Sequence, residues 1–319
     1  MTADSDLAAP TDPFSWDRYK TMVEVIGLFI RSADNAYQRQ LKAVALREAE
    51  KHNFDLLIQT AQFDVNLQIT QIRDAIKNAG ATRMMAILVS GVRDEDLVPL
   101  AHEAAAAGME WGLLNDARYV DELRQQYPNR AIFAAASDQT EIGRLQADQI
   151  RTLLGGEARP VMCITGNQRN IEARLRLEGL KQGLGEDFPI IEVNADWTSE
   201  GGRRAVERWA AGIKNKEDMP AAFAAQNDEM ALGVRQALRD IVSQRGWPVG
   251  GSPIVGCDGA DDFGQRLVRE GRMKATVVMT PASGVAIEWI ARARRNGELP
   301  PAHVVLPVNS FPALSKLMP

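Results

Sequence analysis

Short apolar runs alternate with longer amphipathic segments from about residue 23 to the C-terminus. This rhythm predicts repeated strand–helix units built on parallel sheets. Strands are predicted at 23–30, 54–59, 84–89, 110–114, 131–136, 160–165, 190–194, 221–225, 253–257, 275–279 and 304–306. So many strands exceed one comfortable sheet, and 319 residues exceed one ordinary domain. The pattern therefore predicts an α/β fold of two doubly wound parallel-sheet lobes, with a crossover near 135–137.

Helix ends are marked along the chain. Asp138-Gln-Thr-Glu141 reads as a capping box before a helix reaching Leu154, which Gly155-Gly156 stops. Thr280-Pro281 reads as an N-cap followed by a first-turn proline, with the helix running to about Arg295. Asp34 or Asn35 is expected to cap a helix whose apolar face includes Leu41, Val44 and Ala45. Residues 1–22, acidic and proline-containing, read as a flexible leader. Residues 116–130 break the rhythm near the middle.

Composition narrows the class only slightly. With 45% hydrophobic residues, 25% charged residues and a formal net charge of -5, the chain reads as globular, with sizeable cores. The charges are interspersed, so no nucleic-acid footprint appears. No apolar run approaches transmembrane length. The N-terminus lacks the basic and apolar regions of a secretory signal. That leaves a cytoplasmic protein, a chain trimmed of its signal, or a misplaced start. Cys163 and Cys257 lie in apolar runs and read as buried thiols, with a disulfide left open.

Catalytic patterns are missing. There is no Gly-rich dinucleotide or phosphate loop and no nucleophile elbow. His52, His102 and His303 are far apart and read as solvent-facing or capping residues. Cys257 beside Asp258 has no histidine at a strand end to activate it. No cofactor or metal is expected.

Polar residues do recur just past strand ends, the edge where open α/β sheets bind ligands. Arg31, Ser32, Asp34, Asn35 and Tyr37 follow the first predicted strand, Asn115 and Asp116 the fourth, and Ser137 and Asp138 the fifth. Trp197 follows 190–194, Gln226-Asn-Asp228 follows 221–225, and Asp258 follows Cys257. Asp34, Asp138 and Asp228 read as helix caps. The remaining amides, carboxylates and arginine suit vicinal hydroxyls, and Tyr37 and Trp197 offer aromatic faces for a sugar ring.

Four motifs carry a family resemblance: Ile26-Gly-Leu-Phe-Ile-Arg-Ser-Ala-Asp-Asn-Ala-Tyr37, Glu172-Ala-Arg-Leu-Arg-Leu-Glu-Gly179, Phe223-Ala-Ala-Gln-Asn-Asp-Glu-Met-Ala-Leu-Gly233 and Ile254-Val-Gly-Cys-Asp-Gly-Ala-Asp-Asp262. In order and spacing the chain resembles the type I periplasmic sugar-binding proteins, the group that includes ribose and galactose receptors. Effector domains of lactose-repressor-type regulators share this architecture. The resemblance implies lobes of 23–136 plus 281–302 and 137–280 plus 303–319, joined by a three-crossover hinge. It implies that Asn35 supplies a polar contact and Tyr37 an aromatic stack. It places Arg174 on the arginine that binds ring or hydroxyl oxygens, Trp197 on the second-lobe aromatic, and Asn227 and Asp258 on the amide and carboxylate that grip hydroxyls. Ser137 falls at the first crossover.

Four departures are visible. Asn115-Asp116 stands where the family often has Asp-Arg. Arg31 replaces a small polar residue, Gln38 a second aromatic, and Met279 a glutamine or asparagine. The implied function is a periplasmic receptor that closes on a sugar or polyol and meets a membrane ABC permease or a sensor, with a monomer expected. A regulatory effector domain is the alternative, and the short acidic leader argues against it. An enzyme is not expected.

Overall fold

The computed structural model describes residues 23–32, 35–115 and 119–318. The leader, Asp34 and Asp116 lie outside the described residues. Among the described residues twelve strands form two six-stranded sheets. The first sheet contains β1 (Val25–Ile30), β2 (Asp55–Thr60), β3 (Met84–Val89), β4 (Glu110–Leu113), β5 (Ile132–Ser137) and β11 (His303–Leu306) in the order β11-β5-β4-β3-β1-β2. The second contains β6 (Val161–Thr165), β7 (Ile190–Asn194), β8 (Ala222–Ala225), β9 (Ile254–Asp258), β10 (Ala275–Met279) and β12 (Val308–Phe311) in the order β12-β10-β9-β8-β6-β7. All pairings are parallel except β10 with β12.

The continuous apolar runs have a simple cause, since helices cover both faces of each sheet and leave no solvated side. In the first sheet Val25, Phe29, Ile87 and Trp111 pack on one face. Ile26, Leu28, Ile30, Leu88 and Phe133 pack on the other. The outer strand β7 departs from this rule, with Glu192 and Asn194 exposed. Polar positions on an edge strand discourage further strand pairing.

The predicted crossover structure needs correction at the third crossover. Residues 303–306 belong to the first sheet, because β11 pairs with β5 from His303↔Ala134 to Leu306↔Ser137. The third crossover is therefore Pro307, which lies between β11 and β12. Strand β12 itself was not predicted from the sequence. The first crossover follows Ser137 and the second follows Met279. The Thr280 hydroxyl donates to the Pro307 carbonyl at 3.0 Å and ties the second and third crossovers together. Pro281 is the N-cap of helix Ala282–Asn296 rather than its first residue, and Thr280 provides no cap.

Glycine allows one close helix crossing that matters for the site. Helices Gln139–Leu153 and Ile171–Leu184 meet at Gly143 and Gly179. A Cβ at Gly179 would stand 1.9 Å from the Thr140 carbonyl oxygen, and one at Gly143 would stand 2.1 Å from the Arg176 carbonyl oxygen. Backbones that approach this closely exclude any larger residue, and the contact fixes where Arg176 enters the interlobe space.

Candidate binding site

The carboxyl ends of the two sheets enclose a cleft of about 550 Å³. From the first lobe it is lined by Arg31, Asn35, Tyr37, Gln38, Asp94 and Asn115, and from the second by Glu172, Arg176, Trp197, Asn227, Asp258 and Met279. Ser137 lines it at the hinge. Ten of the predicted positions thus converge on one cavity: Arg31, Asn35, Tyr37, Gln38, Asn115, Ser137, Trp197, Asn227, Asp258 and Met279.

Arg174 is a correction. Its side chain is exposed and donates to the Gln168 carbonyl at 3.3 Å, whereas Arg176 is buried in the cleft wall. Two residues along a helix rotate a side chain by more than half a turn, so the two arginines cannot share a face. Arg176 lies on the buried stripe of Ala173, Leu177, Leu180 and Leu184. Its Nε donates to Gln139 Oε1 at 2.8 Å, one terminal nitrogen to the Gln226 carbonyl at 2.5 Å, and the other to Met279 Sδ at 3.4 Å. It stands 3.8 Å from Asp258 and 5.8 Å from the centre of the Trp197 ring.

Asp228 is not the cap of its helix. Asn227 is, with Oδ1 accepting from the Met230 N–H at 2.9 Å and Nδ2 donating to the Trp197 carbonyl at 2.9 Å. Each group of this amide keeps one bonding position spare. Asp228 instead accepts from the Gly259 N–H at 2.8 Å and the Thr276 hydroxyl at 2.6 Å, fixing the loop that carries Asp258. Gln226 supports the neighbouring loops, accepting from the Gly166 N–H and donating to the Ala173 carbonyl. Asn35 caps helix Ala36–His52 by accepting from the Gln38 N–H. Asp138 caps its helix as expected.

The lobes touch across the cleft. Arg31 donates to Glu172 at 2.7 Å, and Asn115 Nδ2 reaches Asp94 at 3.3 Å and Glu172 at 3.5 Å. The Ala36 N–H donates to Glu229 at 2.8 Å. Burial pushes Asp94 up to about 7 against the pull of Arg31, and burial likewise pushes Asp258 up to about 7 against the pull of Arg176. Glu172 is also buried, but the Arg31 charge outweighs that and lowers it. Burial, then the Asp258 charge, raises the Tyr37 phenol to about 12, so it remains a neutral hydrogen-bond donor. Asp258 holds φ 95 and Trp197 φ 69, a left-handed backbone that non-glycine residues adopt at a cost.

Among the described residues, five buried polar atoms on cleft residues have no hydrogen-bond partner: Arg31 Nε, Gln38 Oε1, Asp94 Oδ1, Ser137 Oγ and Trp197 Nε1. Buried polar groups are nearly always satisfied, so five at one cavity mark it as a binding surface.

Asp94, Glu172 and Arg176 were not recognised from the sequence. Asp94 sits in an acidic run that reads as solvated, and Glu172 reads as a first-turn acid favoured by the helix dipole. The buried stripe of its helix was a signal for Arg176. Both cysteines are free and buried, and burial raises each thiol, so neither is an activated nucleophile. His52 does have acidic neighbours, Glu48 and Glu288, within one cluster on the first lobe. Lys51 and Arg292 also bond these carboxylates, and Arg295 bonds the ring, so an ion-pair network accounts for them.

The sequence profile of the family described as "Periplasmic binding protein domain" matches residues 26–295. The chain belongs to this family. The binding protein is 28% identical to the ribose import binding protein of Haemophilus influenzae over 260 residues, covering 81% of this chain and 80% of that one. It is 30% identical to a putative rhizopine-binding protein of Rhizobium meliloti over 243 residues, covering 74% of this chain and 69% of that one. Among solved structures, an ABC transporter periplasmic solute-binding protein from Actinobacillus succinogenes with bound D-allose superposes with a TM-score of 0.75 at 20% identity. It covers 90% of this chain and 96% of that one, a likeness of fold. Both sheets thus share the fold of that two-lobed structure.

Proposed function

We propose that this binding protein is a receptor for a sugar or polyol, held between the lobes and presented to an ABC permease at the membrane. The five unpartnered polar atoms of the cleft carry this reading. Two are N–H donors, two are carbonyl or carboxylate acceptors and one is a hydroxyl. A hydroxyl both donates and accepts, so a polyhydroxylated ligand suits this mixture of donors and acceptors. Relatives named for ribose, rhizopine and xylitol support the class.

The charges argue for a neutral ligand over a sugar acid. Arg31 is engaged by Glu172, and Arg176 spends its donors on Gln139, Gln226 and Met279. Among the described residues, the cleft arginines therefore have most of their donors engaged by the protein, with Arg31 Nε left over, and neither offers a whole guanidinium fork to a carboxylate. Asp94 and Asp258 add acceptors for hydroxyls. Tyr37 and Trp197 supply apolar ring surface.

A thermal-shift screen of pentoses, hexoses, tetritols and sugar acids tests this reading, since a ligand of the native state raises its melting temperature. At least one neutral sugar or polyol should raise it in a concentration-dependent way, with sugar acids weaker. A screen in which only acids shift the transition would overturn the reading.

A further inference from the structure

The cleft is amphipathic along its length. Among the described residues seven large apolar side chains are exposed, and three of them, Phe63, Ile171 and Val305, line this one cavity. Scattered surface apolar residues need no explanation, but exposed ones that line a binding cavity do. Phe63 is 56% exposed and Ile171 46%.

Phe63 is held there deliberately. It follows β2, the edge strand of the first sheet farthest from the hinge strand β11. Gln62 and Phe63 have φ 49 and 61, two successive non-glycine residues in the left-handed region. Such a conformation persists only where its surroundings impose it. Here the Phe63 N–H donates to the Arg31 carbonyl at 2.8 Å and the Asp64 N–H to the Ala61 carbonyl at 2.8 Å. Asp64 then caps helix Val65–Lys77. The opposite wall is tied to the same point, because Ile171 precedes Glu172, which bonds the Arg31 side chain. The two apolar side chains thus line the cavity from different lobes, each on a backbone tied to a member of the Arg31–Glu172 bridge.

At about 550 Å³ the cleft has the ordinary size of a small-molecule site. We propose that the ligand is a sugar or polyol bearing an apolar substituent, a glycoside in chemical class. Its hydroxylated part sits on the polar floor, and its substituent lies between Phe63 and Ile171. This rests on the sugar-or-polyol reading and adds the second subsite to it.

Calorimetric titration with matched pairs tests the proposal. The pairs are D-ribose, D-xylose, D-glucose and D-galactose, each with its methyl and 4-nitrophenyl glycosides. For at least one pair the aryl glycoside should bind about tenfold more tightly than the free sugar, with the methyl glycoside between. Phe63→Ala should remove most of that gain and leave the free-sugar affinity within about twofold. Phe63 is exposed, so the variant should keep the wild-type melting temperature. Glycosides that bind no tighter than free sugars would overturn the second subsite while leaving the sugar reading intact. Equal weakening of both members of a pair by Phe63→Ala would also overturn it, making Phe63 a lobe-closure contact. Binding by neither member of any pair would overturn the glycoside proposal, and no shift in the wider sugar and polyol screen would in addition remove the reading on which it rests.

Discussion

Asp94 and Asp258 give the site its pH dependence. Both titrate at about 7 in the folded protein, whereas the ordinary aspartate value is near 4. The folded protein therefore holds more protons than the unfolded chain between about pH 4 and 7. Stability contributed by these two groups is present below pH 4 and is lost as pH rises through 7. Ligand hydroxyls that donate to the carboxylates act in the opposite direction, so affinity should rise between pH 5.5 and 8. Melting curves and titrations across that range check both signs, and affinity that falls with rising pH would contradict the acceptor roles. Arginine supplies a second residue-scale prediction. Arg174→Ala should leave sugar affinity within about twofold, because Arg174 faces solvent. Arg176→Ala should cost about 1–3 kcal/mol of stability by leaving the buried Gln226 carbonyl and Asp258 carboxyl without their partner. Denaturant unfolding of both variants separates them.

At the scale of elements, the helix pair Gln139–Leu153 and Ile171–Leu184 is the bracket that sets Arg176. Gly179→Ala drives a methyl group into the Thr140 carbonyl and should destabilise by about 1–3 kcal/mol, as overpacking does, with weaker ligand binding as Arg176 shifts. An unchanged denaturation midpoint would contradict the close crossing. The elements also show what the chain makes legible. Strands buried on both faces, such as β1 and β3, announce themselves as unbroken apolar runs, and the polar residues after them mark the cleft. The four residues of β12 do not: Val308-Asn-Ser-Phe311 is short and half polar, and it becomes a strand only because β10 offers it an antiparallel edge. The lobe boundary at Pro307 is set by the pairing of β11 with β5, which local pattern does not encode. Arg174 and Arg176 both fit a motif read along the chain, and only the helical phase of their neighbours separates them.

At the scale of the molecule, two glutamates join the lobes, Glu172 to Arg31 and Glu229 to the Ala36 N–H. Each occupies the second position of its helix, Ile171–Leu184 or Asp228–Arg245. These contacts favour the closed arrangement without drawing on ligand, and apparent affinity scales with the closed fraction. Glu172→Ala should therefore expand the ligand-free protein in small-angle scattering and weaken sugar binding, while saturating ligand restores the compact form. An unchanged scattering profile would show that the bridge does not hold the lobes. The most direct test of the whole account is a calorimetric titration of wild-type and Asp258→Ala protein with the neutral sugar or polyol giving the largest thermal shift. The account predicts one site per chain, and affinity at least about tenfold weaker in the variant. Equal affinity in the two proteins would contradict the placement of the ligand in this cleft.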